Sequence, residues 1–197
     1  GMIPLEKLKA HDQVALYPFM GVAYEEPSDK TIVNESHIRK LFEKLEKKSG
    51  GHALTQTLNH FRRIGLLPLR YNSPQLPSLL KILGYQIGDG TLYFVNRTGK
   101  GLAWFYGKAG DLETIRNDIE SIGFTPSRVY RRQRAHTIKT LYRTYSFSNE
   151  ETSFKVGSSG FVLLLLALGA PLGNKAAQNY RVPSWILRAP LWQKRLF

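Results

Sequence analysis

The stretch LLKILGYQIGDGTL, residues 79–92, carries the clearest structural signal in this sequence. Its apolar side chains recur at spacings of three and four residues, which is typical of a helix that packs on a core. Leu80, Gly84 and Gly88 lie four residues apart on a second stripe, where two glycines allow another helix to approach backbone to backbone. The stretch therefore predicts a helix that packs on two sides and ends at Asp89-Gly90.

Helix and strand patterns continue regularly after this stretch. The helix is expected to begin near Pro74 and to run to about Gly88. The patterns that follow predict strands at 91–97 and 100–106, a helix at 111–122, strands at 127–136 and 139–147, and a helix at 158–168. This αββαββα order predicts an α+β domain with an antiparallel four-stranded sheet, helices on one face of it and the other face free.

The residues before the long helix, 1–72, predict a small and mostly helical N-terminal appendage. A short strand is expected around Val14, and two helices carry apolar faces that include Ile38 and Leu58. Gly50-Gly51 separates the two helices. Such a pair is typical of DNA-binding helix-turn-helix domains, but many other packed helix pairs have the same pattern, so both interpretations stay open.

Positive charge is concentrated towards the end of the chain. The 197 residues include 28 Lys and Arg and 15 Asp and Glu, a formal net charge of +13, and 12 of the basic but only 2 of the acidic residues follow residue 120. Strand alternation and the neighbouring strands give the predicted nucleic-acid contacts Arg97, Arg128, Tyr130, Arg132, Arg134, Lys139 and Arg143. Guanidinium groups suit phosphates and base edges, although charges on an edge strand also serve to keep it soluble.

Composition excludes several classes of protein. The chain has no cysteine, which excludes disulfides and thiolate metal sites, and its 5 histidines lack metal-ligand spacing. The longest apolar run, residues 161–168, is far shorter than the roughly 20 residues of a membrane-spanning helix. No signal peptide is recognisable. We therefore expect a cytoplasmic protein, with no membrane partner, that meets nucleic acid.

Three segments resemble one known family. LGYQIGDGTL, residues 83–92, resembles the LAGIDADG motif of the dodecapeptide-type homing endonucleases, including those housed in inteins. The later segments GAPLGNK, residues 169–175, and VPSWI, residues 182–186, resemble the loops that follow the closing helix in that family. KLKAHDQVALYPF, at the N-terminus, is a fainter echo of an intein strand. The resemblance covers roughly residues 60–188.

The resemblance implies a fold and a chemistry. The expected fold is the LAGIDADG αββαββα saddle over residues 73–188, and the expected activity is metal-dependent hydrolysis of phosphodiester bonds in double-stranded DNA. Asp89 matches the acidic metal ligand of the motif, and Gly88 adds the helix-end carbonyl, with Mg²⁺ or Mn²⁺ as the expected ion. Lys175 matches a basic position near the family's active site, where it would stabilise or position a phosphate unless it is simply solvated. Gln133 is a candidate for positioning the water.

The family's chemistry needs two such helices, and this sequence has one. A homodimer would supply the second across Leu80, Gly84 and Gly88, as would a missing second half. Residues 189–197 are interpreted as the start of that half or as a C-terminal tail. An endonuclease is the first hypothesis. A catalytically inactive DNA-binding module or regulator is the alternative, and an RNA maturase is a third.

Overall fold

The computed structural model describes residues 7, 9, 21–45, 52–96 and 98–197, without the side chains at 52 and 136. The strand predicted around Val14 and the predicted contact Arg97 lie outside these residues. The helices and strands of the described part are β1 (Thr31–Val33), α1 (Glu35–Lys44), α2 (His52–Arg63), β2 (Leu69–Arg70), α3 (Leu76–Asp89), β3 (Gly90–Phe94), β4 (Gly101–Tyr106), α4 (Ala109–Ser121), β5 (Tyr130–Lys139), β6 (Thr144–Val156), α5 (Ser159–Ala167) and α6 (Leu191–Lys194). Short 3₁₀ helices occupy Lys175–Ala177 and Ile186–Arg188.

The main sheet is antiparallel and has the strand order β3-β4-β6-β5, while β1 and β2 form a separate small sheet. The α3-β3-β4-α4-β5-β6-α5 order confirms the predicted succession of elements. One face of the sheet is buried beneath the helices and consists of apolar side chains. These are Leu92, Ala103, Phe105, Phe154 and Val156. The opposite face is not covered by a helix in the described part of the chain, which is the arrangement expected from the order of the elements.

Helix α3 is the central helix of the domain. Pro77 stands in its first turn, where a missing N–H leaves no hydrogen bond unmade. Leu79 and Leu83 are fully buried in the core. The ammonium of Lys81 lies 2.6 Å from a carboxylate oxygen of Asp118, which ties α3 to α4. The predicted packing of α3 on its apolar stripe is therefore confirmed.

The hydrophobic core is continuous from the first section of the chain into the second. Ile38 and Phe61 belong to the same buried cluster as Phe161. The Phe124 ring lies 6.3 Å from Phe61 and 4.9 Å from Phe161, measured between centroids, and so joins α2 to α5. Division of the sequence into an appendage at 1–72 and a domain at 73–188 thus remains a prediction about sequence organisation, since the described parts of both share one core.

Residues 189–197 pack on the rest of the chain. The buried amide of Gln193 donates to the carbonyl oxygen of Tyr71 at 2.8 Å. Trp192 stacks on Tyr24 and donates its indole N–H to the carbonyl of Glu25. Within the described ranges, every helix is too short or too polar to cross a membrane.

The strand pair β5-β6 is longer than predicted, and its turn lies later in the sequence. The turn falls at residues 140–143, where the backbone N–H of Thr140 donates to the carbonyl of Arg143 at 3.0 Å and its hydroxyl accepts from two backbone N–H groups. The polar stretch after Phe147, which sequence patterns placed outside the strand, continues as β6. Glu150 and Glu151 pair with arginines of β5, and these cross-strand ion pairs stabilise a strand that lacks an apolar pattern.

Candidate nucleic-acid interface

The uncovered face of the sheet carries a row of aromatic side chains. Directly opposite residues of antiparallel strands point to the same face. The register places Trp104 opposite Lys155 and Tyr106 opposite Ser153, which in turn lies opposite Tyr130. We call this the open face, and its residues are Thr91, Tyr93, Trp104, Tyr106, Tyr130, Arg132, Arg134, Glu151, Ser153 and Lys155.

Trp104 is held in a fixed orientation at the centre of the open face. Its indole N–H donates to the hydroxyl of Tyr93 at 3.0 Å, and its ring lies 6.0 Å from that of Tyr106 with an interplanar angle of 10°. The Arg132 guanidinium and the Lys155 ammonium each lie 5.5 Å from the indole centroid. A partly exposed aromatic ring with two cations beside it is suited to stacking a base while the cations contact its phosphate.

Arg132 and Arg134 extend this surface along β5. Arg132 donates from Nε and Nη2 to one oxygen of Glu151 at 2.9 and 2.7 Å, and Arg134 donates to the other oxygen at 3.1 Å. The hydrogen bond to Glu151 raises the pKa of Arg132 above its usual value. The prediction that Tyr130, Arg132 and Arg134 share one face is therefore confirmed. Sequence patterns missed that a carboxylate of the next strand holds both guanidinium groups.

The other predicted contacts are divided between locations. Arg128 is exposed just before β5, and the Arg143 guanidinium lies 4.2 Å from the ring centroid of Tyr145 in the turn region. Lys139 is opposite Thr144, on the face that Arg131 also occupies, so it does not join Arg132 as predicted. The reason is the period of two in a strand, which separates residues 132 and 139.

Trp104, Tyr106 and Lys155 are absent from the predicted contacts. The signal for the two aromatic residues is the alternation in GLAWFY, residues 101–106, where every second side chain is buried. No comparable signal exists for Lys155, because its position beside Trp104 depends on the register of β6 against β4.

The C-terminal end of α3 is capped by Lys175. Its ammonium donates to the carbonyl oxygens of Gly88 at 2.7 Å and Ile87 at 2.9 Å, and it lies 3.4 Å from that of Gln86. A cation at this end is favourable because the last carbonyls of a helix lack partners and carry partial negative charge. Burial lowers the pKa of Lys175, and the nearby carboxylate of Asp89 opposes that decrease.

This cap changes the interpretation of the predicted metal ligands. Asp89 is exposed, and the carbonyl of Gly88 accepts a hydrogen bond from Lys175 instead of facing a metal ion. In the described part of the chain, no group of three or more His, Cys, Asp or Glu residues is placed to hold a metal. The residues present therefore do not fit an Mg²⁺ or Mn²⁺ site at this helix end, because an ammonium occupies the place of the ion.

The glycines of α3 have separate structural roles. A Cβ atom at Gly84 would collide with the carbonyl oxygen of Phe197, so this close approach is made by residue 197 of the same chain. No atom lies within 4 Å of a Cβ built on Gly88, whereas one at Gly90 would meet the buried side chain of Gln86. Leu80, the third residue of the predicted helix interface, is fully buried. In the described part of the chain, the close approach at Gly84 is therefore made by the segment that follows α6, a helix in contact with α3.

Gln133 does not lie with Asp89. It is on the face of β5 opposite to Arg132, and its side-chain oxygen is 3.4 Å from the hydroxyl of Ser148. Asp89 leads directly into β3, which is at the other edge of the four-stranded sheet. Three strand spacings, about 14 Å, separate the two edge strands. The predicted grouping of Gln133 with Asp89 is therefore corrected.

An open groove connects the open face to Lys175. It has a volume of about 950 Å³ and is lined by Thr91 and Tyr93 of β3 and by the segment 173–180, including Lys175 and Tyr180. Because Thr91 lies opposite Trp104, the groove begins where the aromatic row ends. The open face and the Lys175 segment thus form one continuous surface.

Comparison with known proteins identifies relatives by sequence. The chain is 37% identical over 187 residues to the tRNA-splicing ligase RtcB of Methanocaldococcus jannaschii, a match that covers 94% of this chain and 18% of the relative. It is 36% identical over 197 residues to the tRNA-splicing ligase RtcB of Pyrococcus furiosus, a match that covers 100% of this chain and 19% of the relative. It is also 29% identical over 196 residues to the DNA-directed RNA polymerase subunit Rpo1N of M. jannaschii, a match that covers 97% of this chain and 14% of the relative. No family model matches the chain, and no solved structure matches it.

The chain spans less than a fifth of the length of these relatives. Nearly the same residues of this chain match a ligase and a polymerase subunit, so the matched segment is common to proteins with different names. Each name describes a protein at least five times longer than the matched segment.

These names contradict the predicted family. The most similar of these relatives are named as RNA ligases, and none of the three is named as a homing endonuclease. Membership of the LAGIDADG family, including its intein members, is corrected accordingly. The same finding corrects the predicted cleavage of double-stranded DNA and the prediction of double-stranded DNA as the partner. It also corrects the two alternatives, a DNA-binding module and an RNA maturase. The catalytic roles predicted for Asp89, Lys175 and Gln133 depended on that activity and lose their basis.

Proposed function

We propose that this chain is an RNA-binding domain of a longer RNA-processing protein, and that RNA lies along the open face. The observation that carries the proposal is the environment of Trp104, a fixed indole with the cations of Arg132 and Lys155 beside its ring. The names of these relatives favour RNA as the class of partner. We assign binding alone to the chain, and no catalytic step, because it spans less than a fifth of the length of these relatives.

The chemistry of the open face fits RNA bases and phosphates together. Sequence-specific and single-stranded RNA is recognised largely by stacking of unpaired bases on aromatic side chains. Trp104, Tyr106 and Tyr130 supply such rings, and Arg132 and Arg134 supply paired hydrogen-bond donors for phosphate. Lys155 adds a point charge, with its ammonium 5.5 Å from the centroid of the Trp104 ring.

The overall charge favours a polyanion. A net charge of +13 attracts phosphates from a distance and makes binding sensitive to salt. In this proposal a divalent cation such as Mg²⁺ acts as a counter-ion of the RNA, and the cytoplasm is the compartment in which the domain works.

Fluorescence anisotropy with a labelled RNA stem-loop tests the proposal. Trp104→Ala removes the stacking ring, and we expect its Kd to rise about 5- to 100-fold, the effect of losing one stacked base. Arg132→Gln removes a phosphate contact, and the slope of log K against log salt should decrease in magnitude by about 0.7–0.9.

Arg116→Gln is the matched control. Arg116 also contacts two carboxylates, Glu113 and Glu120, but it lies on α4 on the helix side of the sheet. Arg116→Gln changes the net charge by the same amount as Arg132→Gln, so its effect on the Kd measures the general contribution of charge. Equal affinities for the wild type, Trp104→Ala and Arg132→Gln would refute the proposal, as would equal effects of the two arginine substitutions.

A further inference from the structure

The strands β5 and β6 extend well beyond the rest of the sheet. Strand β4 ends at Tyr106, which lies opposite Ser153, and the N–H of Gly107 just beyond it donates to the carbonyl of Thr152 at 3.2 Å. The register leaves residues 132–139 and 144–151 paired only with each other. We call the ribbon formed by residues 131–152 the arm. Its length from Arg131 to Lys139 is about 27 Å at the rise of a β-strand. The arm therefore projects from the domain as a two-stranded ribbon.

The end of the arm exposes large apolar side chains. Leu141 and Tyr142 are 97% and 95% exposed, and Ile138 and Tyr145 are 50% and 43% exposed. Exposed apolar side chains that lie next to one another commonly mark a contact surface, whereas single scattered ones do not. Because Leu141 and Tyr142 stand in the turn, neither side chain contributes to the core that holds the fold.

The two faces of the arm differ in chemistry. Ile138 lies opposite Tyr145, on the same side as Arg134 and the open face. On the other side, the hydroxyls of Thr137 and Ser146 are 3.4 Å apart. The apolar and aromatic residues of the arm thus continue the surface on which Trp104 lies.

The charge of the arm selects an anionic partner. The arm has two carboxylates, Glu150 and Glu151, which pair with Arg131 and Arg132 at its base. The rest of the arm has none, whereas Arg134, Lys139 and Arg143 all fall in it. The Arg143 guanidinium lies over the Tyr145 ring at 4.2 Å from its centroid, so one aromatic ring already carries a cation. A partner for this surface needs flat apolar faces and a regular row of negative charges. Unpaired nucleotides have both.

We infer that the arm binds unpaired bases of the RNA, with Tyr142 and Tyr145 as stacking surfaces and Arg143 as a phosphate contact. This inference rests on the proposed function, since it assumes that RNA occupies the adjacent open face. An A-form duplex keeps its base faces inside the helix and its major groove is deep and narrow, so it offers these rings nothing to stack on. The arm therefore gives the domain a preference for RNA with a single-stranded segment.

The experiment compares two RNAs, a stem-loop with a single-stranded tail and the same stem closed by a minimal loop without a tail. The double substitution Tyr142→Ala/Tyr145→Ala should raise the Kd for the tailed RNA about 5- to 100-fold and change the Kd for the tailless RNA little. Tyr142→Phe keeps the ring and should bind like the wild type. Tyr24→Ala removes another exposed tyrosine, away from the sheet, and serves as the control.

The outcomes separate this inference from the function on which it rests. If the wild type binds both RNAs and the double variant loses affinity for both equally, or for neither, the arm does not read unpaired bases. If the double variant keeps its RNA affinity but loses self-association in analytical ultracentrifugation, the arm is a protein contact and the inference is wrong. If the wild type binds neither RNA, the proposed function fails first. Far-ultraviolet circular dichroism confirms that each variant is folded.

Discussion

Replacing Glu151 by glutamine tests how the arginines of the open face meet a phosphate. The carboxylate accepts three hydrogen bonds, two from Arg132 at 2.9 and 2.7 Å and one from Arg134 at 3.1 Å. It therefore compensates the two guanidinium groups in the free protein and repels a phosphate that approaches them. The amide of glutamine has nearly the same size and carries no charge.

The magnitude follows from Coulomb's law. A phosphate bound on the outer side of Arg132 would lie about 8 Å from the Glu151 carboxylate, two hydrogen-bond lengths plus the width of a guanidinium. At this separation two unit charges repel by about 0.5 kcal/mol in water and by about 2 kcal/mol at an effective dielectric constant of about 20. A value of about 1 kcal/mol for this partly exposed site corresponds to a Kd about fivefold lower for Glu151→Gln.

The assay is an anisotropy titration of a labelled RNA stem-loop at several salt concentrations. We expect tighter binding by Glu151→Gln and a salt slope steeper by up to about 0.9, because one further phosphate contact becomes available. Glu150→Gln is the matched control. It removes the same charge from the adjacent residue, but Glu150 lies on the other face, where its carboxylate is 3.6 Å from Arg131.

Two results would refute this reasoning. Weaker binding by Glu151→Gln would mean that the carboxylate orients the arginines and that its repulsion of phosphate is the smaller effect. An equal gain from Glu150→Gln would mean that net charge alone, and not the open face, controls the affinity.

Three further predictions concern the rest of the domain. Lys175→Met should lower the free energy of unfolding by about 1–2 kcal/mol and the Tm by about 2–8 °C, because it leaves carbonyls at the end of α3 without a donor. Lys40→Met, at an exposed site, should change neither quantity. Equal melting curves for Lys175→Met and the wild type would contradict the capping role. Gly84→Ala should destabilise the protein by about 1–3 kcal/mol, because its Cβ collides with the carbonyl oxygen of Phe197. Gly88→Ala places its Cβ in open space and should stabilise the protein by up to about 1 kcal/mol. Urea titrations measure both effects. Burial raises the pKa of Tyr85, whose hydroxyl donates to a backbone carbonyl, so the stability of the fold falls as the pH rises through that raised value. In an alkaline absorbance titration, Tyr85→Phe should remove a phenol that titrates late. An unchanged late phase would count against this assignment.

The helices and the sheet were predictable because their patterns depend on neighbours in the sequence. The apolar spacing in α3 and the alternation in β3 and β4 reflect burial against one core. The extension of β6 through Ser148 and Glu151 was not predictable in the same way. Its stability depends on ion pairs with β5, and those pairs exist only once the strands are in register.

The candidate site was predictable in part. Strand alternation correctly grouped Tyr130, Arg132 and Arg134, since that grouping needs no tertiary information. The partners of these residues lie on other strands, so neither Glu151 nor Lys155 was indicated. Lys175 was predicted only through its match to a basic position near the active site of the resembled family. Its contact with the carbonyls at the end of α3 depends on how the segment after α5 folds back.

The relative affinity of the domain for RNA and for double-stranded DNA decides whether RNA is its partner. The measurement is the Kd of the wild type for a labelled RNA stem-loop with a single-stranded tail and for a DNA duplex of equal length, in one buffer at one salt concentration. We expect the RNA to bind more tightly by about tenfold or more, the effect of one or two stacked bases. Equal or tighter binding of the DNA duplex would contradict it.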